Sequence, residues 1–107
     1  MKGFTAVCTG ITLGTATKFL LGSWAQKNLR IVVGVTGGTP EDAAKLLKTS
    51  PAHIRRLLDH AMRFTPLQII ELWELAFEIR QLEGESTQRV RELLRFYHTY
   101  AFGAQPA

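Results

Sequence analysis

Two histidines and two arginines, His53, Arg56, His60 and Arg63, recur at three- and four-residue spacing in the middle of the chain. On a helix that spacing puts all four on one face. There the guanidinium and imidazole groups would reach phosphates or guanine edges, making this a candidate nucleic-acid or acidic-partner face. A second stripe, Glu71, Glu74 and Glu78, has the opposite sign. Paired carboxylates can do acid–base work or bind metal. No histidine lies three or four residues from any of these, so the di-metal pattern of helical bundles is missing. The stripe reads instead as a solvated or salt-bridged face, or as one that meets a basic stripe on a neighbouring subunit. Cys8 could pair with His53, His60 or His98 only if the N-terminus folded onto them. One cysteine and three scattered histidines do not make a zinc site. Gly34, Gly37 and Gly38 are followed by no Gly-Lys-Ser/Thr, so they form no phosphate loop of the usual kind. The residues therefore argue for a non-enzymatic protein with no catalytic residue, metal, cofactor or small-molecule substrate.

The elements that would position these side chains announce themselves by their starts. Thr39-Pro40, Ser50-Pro51 and Thr65-Pro66 each join a hydroxyl that caps free N–H groups to a proline that loses nothing at the first helical position. Asp42 and Gln68, three residues after their caps, approach capping boxes. The apolar spacing predicts a helix over 16–35, with Leu20, Trp24, Ile31 and Val35 flanked by Leu21, Ala25, Leu29 and Val32, ending at Gly37-Gly38. Helices over 40–48 and 51–63 follow. A longer one over 66–83 buries Ile69, Ile70, Trp73, Ala76 and Phe77, and a last one runs over 87–100. The expected fold is all-α, with about five helices: a short helix-turn-helix-like pair, then a longer antiparallel helical hairpin.

At 107 residues the chain is one domain, and 46% hydrophobic with 21% charged residues is ordinary for a globular protein. A net charge of +4 is a mild bias towards anionic partners. A single cysteine excludes an intrachain disulfide and fits a reducing compartment, so a cytoplasmic location is expected. Residues 1–24 resemble a signal peptide only loosely. Thr15-Ala16-Thr17 is a poor cleavage site, and Lys18 interrupts the only candidate membrane span. Residues 1–20 are expected to be a poorly defined lead-in, 21–101 a helical interaction domain and 102–107 a flexible tail. Phe96, Tyr100 and Phe102 offer an apolar patch for an interface.

Residues 39–56 come close to a DNA-reading helix-turn-helix, with Thr39 as cap, Ala44 as the small residue, Leu47 three later, Ser50 in the turn and Ile54 in the second helix. Lys48 stands where the turn usually has Gly, and Thr49 where an apolar residue usually packs. A small DNA-binding protein of this type is one of two functional expectations.

The other comes from a resemblance. Residues 21–100 carry Asn28-Leu29-Arg30-Ile31-Val32-Val33, then Gly37-Gly38, then Thr39-Pro40-Glu41-Asp42-Ala43-Ala44-Lys45-Leu46-Leu47. Ser50-Pro51, Ile54-Arg55-Arg56-Leu57-Leu58, Arg63-Phe64-Thr65 and the run from Arg89 to Leu94 follow. This succession resembles the C-terminal helical collar domain of the delta subunit of the bacterial DNA polymerase III clamp loader. One departure is that the lysine this family often carries before the glycine after its fourth helix is replaced here, where Leu82 precedes Gly84. The resemblance implies a non-catalytic protein–protein interaction role in DNA replication, with other clamp-loader subunits as partners and DNA as a possible one. Glu71, Glu74, Glu78, Phe96, Tyr100 and Phe102 are then the candidate subunit interface.

Overall fold

The computed structural model describes residues 10–103. Five helices form an all-α fold: α1 (Gly10–Thr36), α2 (Pro40–Leu47), α3 (Pro51–Asp59), α4 (Pro66–Gln81) and α5 (Thr87–Leu94), with one 3-10 turn at Ala61–Arg63. No strand is present among the described residues.

The caps act as their residue types require. Thr39 accepts the Asp42 N–H at 3.2 Å and Ser50 accepts that of His53 at 3.1 Å. Thr65 accepts the Gln68 N–H at 3.1 Å while Gln68 Oε1 accepts the Thr65 N–H at 3.0 Å, which closes a full capping box. At α2 the reciprocal half is missing, because the Asp42 carboxylate takes the Thr39 hydroxyl at 2.8 Å instead. A fourth cap, Ser86 accepting from the Arg89 N–H at 3.1 Å, starts α5 without a proline to advertise it. Each such cap is worth about 1 kcal/mol.

The spine of the core is α1. Its Ala25, Leu29 and Val32 are buried against Ala43 and Leu47 of α2, Ile54 and Leu57 of α3, Phe64, and Leu72 and Leu75 of α4. The approach of α1 to the 3-10 turn is close enough to require glycine: a Cβ on Gly22 would lie 1.9 Å from the Ala61 carbonyl oxygen. Gln26 of α1 donates to the carbonyls of Leu57 (3.2 Å) and Leu58 (3.0 Å), so one side chain satisfies two acceptors at the C-terminal end of α3. The tight α2–α3 turn needs a left-handed residue, and Lys48 supplies it at φ 58°, ψ 47°.

Several expectations are corrected. The first helix begins at Gly10, so residues 10–20 belong to it. Residues 1–9 lie outside the described residues, and Cys8, the thiol of the postulated imidazole pair, is among them. The third helix stops at Asp59, because His60 turns to φ −136°, ψ 97° and the chain re-enters as the 3-10 turn. The fifth stops at Leu94 rather than Tyr100. The inward face of α4 is also rotated. Ile69 and Ala76 are buried, but with Leu72, Leu75 and Ile79, and Ile70, Trp73 and Phe77 face solvent. The main packing partner of α4 is α1.

Candidate interaction site

The rotation of α4 leaves an apolar feature on the surface. Apolar residues surround this helix, so burying one side leaves another exposed. Leu67, Ile70, Trp73 and Phe77 form the exposed side, each at least 45% accessible. Alongside them α1 presents Leu21 and Trp24, also exposed. The Trp24 and Trp73 rings lie 6.4 Å apart with a 45° tilt, and the Trp73 and Phe77 rings 6.3 Å apart. These three rings form a continuous aromatic ladder across two helices. On one side of Trp73, a groove of about 880 Å³ runs between α1 and α4, lined by Thr17, Lys18, Leu21, Trp24, Ile70 and Trp73 among others. On the other side, a groove of about 500 Å³ is bordered by Phe77, Leu93, Phe96 and Tyr97, with Glu74 and Glu78 on its rim. An apolar surface of this extent with a charged rim is the signature of a macromolecular interface.

The acidic stripe divides. Glu74 and Glu78 are exposed on the rim of this face, and Phe96 and Tyr100 are open to solvent, at 78% and 80% accessible. Glu71 and Phe102 are not interface residues. Glu71 is buried, and its carboxylate accepts the Thr99 hydroxyl, the Tyr100 N–H at 2.9 Å and the Ala101 N–H at 3.3 Å. Gln68 donates to the Ala101 carbonyl at 3.2 Å, and the Tyr97 hydroxyl to the Glu71 carbonyl at 3.5 Å. These bonds strap residues 97–102 to α4 and seat Phe102 fully in the core, edge-on to His53 at 6.4 Å. The expected tail therefore begins with a core residue, and residues 104–107 lie outside the described residues. Burial, then the charges of Glu71, Glu74 and Glu78, push the Tyr97 phenol up to about 12.

The basic stripe also disperses. Only His53 and Arg56 are on α3. His60 is the residue that ends it, and Arg63 is in the following turn. His53 is half-buried, with its Nε2 3.5 Å from Gln68 Nε2. Burial, and secondarily the Arg56 charge, lower its pKa, both disfavouring the protonated imidazole. Arg55 pairs instead with Glu41 across the α2–α3 pair. No group of three or more His, Cys, Asp or Glu side chains that could hold a metal converges among the described residues. Among them no helix is long and apolar enough to cross a membrane. No known protein family, curated protein or solved structure matches the chain.

Local signals explain why this exposed apolar face escaped the sequence. Ile70, Trp73 and Phe77 share a helical stripe with the period expected of core, as do Leu72, Leu75 and Ile79. Only the tertiary position of α1 decides between the two.

Proposed function

We propose that this chain is a non-catalytic protein–protein interaction domain, one that docks onto a helical partner subunit through the aromatic face of α1 and α4. The observation that carries it is the exposure of Ile70, Trp73 and Phe77 on a helix whose opposite side is fully packed. The partner this face fits is a helix with an apolar stripe and basic flanks, since Glu74 and Glu78 border the apolar strip. The likeness of residues 21–100 to the clamp-loader delta collar gives that partner an identity: another clamp-loader subunit, in an assembly that serves DNA replication in the cytoplasm.

The helix-turn-helix reading is weaker because its four basic residues do not share a helix. Co-sedimentation with the other clamp-loader subunits of the source genome tests the proposal. The intact chain is expected to be retained and the Ile70→Glu and Phe77→Glu chains lost. Equal retention of all three would overturn it.

A further inference from the structure

A second surface, which meets the docking face at Tyr97, carries a different chemistry. Lys45 and Lys48 at the end of α2 and Arg91 and Arg95 at the end of α5 line one groove of about 430 Å³, with Tyr97 also in its wall. All four cations are exposed, and among the described residues none is in an ion pair. The acid in the groove, Asp42, accepts the Thr39 hydroxyl at 2.8 Å. Arg91 donates its Nε to the Val35 carbonyl at 3.2 Å, a bond that holds the guanidinium without neutralising it.

A simpler account is that cations gather at helix C-termini to answer the macrodipole. Two such ends contribute about half a negative charge each. Together with Asp42 they offset about two of the four positive charges, which leaves the groove net positive.

We propose that this groove binds the phosphodiester backbone of single-stranded nucleic acid without reading its sequence. The two basic pairs come from different elements and face one recess. Within each pair the two residues stand three or four positions apart in sequence. Rows of cations beside an aromatic ring suit a strand whose phosphates meet the charges and whose bases pass the ring. This contact is distinct from the helix-turn-helix candidates, of which only His53 and Arg56 lie on α3.

Fluorescence anisotropy of the full chain with a labelled 20-nucleotide oligo(dT), at 50 and 200 mM salt, tests the assignment. Four phosphate contacts on a single strand should weaken binding about 50-fold between those salts. Lys45→Gln/Arg95→Gln, which removes two charges that are in no ion pair among the described residues, should bind about tenfold or more weakly at low salt and roughly halve the salt slope. Lys45→Arg should keep both affinity and slope. Arg56→Gln/Arg63→Gln, with the same charge change outside the groove, should leave both unaltered. Absence of binding at 50 mM salt, equal losses in the two double variants, equal affinity for a duplex, or equal competition by polyglutamate would each overturn the proposal.

Discussion

The carboxylate of Glu71, on α4, accepts the backbone N–H of Tyr100 at 2.9 Å, twenty-nine residues away. That bond and its neighbours at Thr99 and Ala101 hold the end of the described chain in place. A charged hydrogen bond is worth about 1.5–3 kcal/mol, and leaving buried N–H groups without a partner costs a comparable amount. Glu71→Ala is therefore expected to lower stability by about 2–4 kcal/mol in urea unfolding. The bond after Tyr100 should become cleavable by chymotrypsin under native conditions, whereas Glu78→Ala on the exposed rim should change neither.

Tyr97 links the strap to pH. Its phenol is raised from 10.0 to about 12, so the folded state holds that proton more tightly than the unfolded chain. Stability from this group is complete below pH 10, where both states are protonated, and is lost as pH rises from 10 towards about 12. Ultraviolet titration should show one phenolate appearing near 12 or together with unfolding, and Tyr97→Phe should remove that step. A Tyr97→Phe chain with the same alkaline unfolding curve would contradict this.

The α2–α3 turn offers a substitution that should stabilise. Lys48 holds φ 58°, a region that costs a residue with a Cβ about 1 kcal/mol relative to glycine. Lys48→Gly is expected to raise the melting temperature by about 4 °C in a domain of this size. The opposite change at Gly22 should be harmful, because its new Cβ would meet the Ala61 carbonyl carbon at 2.7 Å and its oxygen at 1.9 Å, both backbone atoms. Gly22→Ala should lose about 1–3 kcal/mol by the same thermal assay.

These residues also mark where the sequence was legible. The Ser/Thr-Pro starts were, because a cap and its N–H lie three residues apart and no tertiary contact is needed to make them. The requirement at Lys48 was visible as the place of a missing turn glycine. The break at His60 was not. No proline or glycine stands there, and the chain bends where Ala61 meets Gly22, thirty-nine residues earlier in sequence. Glu71 belonged to a spacing that reads as solvated, and only the return of Thr99 to Ala101 gives it buried donors. The docking face was hidden for a related reason: α4 is apolar on both sides, and helical period alone does not say which side α1 covers.

The proposed docking face carries both tryptophans of the chain, so it would report on its own occupancy. The most direct test follows Trp emission and sedimentation velocity of the full chain as the clamp-loader subunits of the source genome, the proposed partners, are added. A blue shift together with a heavier species is expected, and Trp73→Glu should abolish both while keeping the helical far-ultraviolet spectrum. A chain that stays unassembled with unchanged emission, or a Trp73→Glu chain that assembles as well as the original, would contradict a docking role for this face.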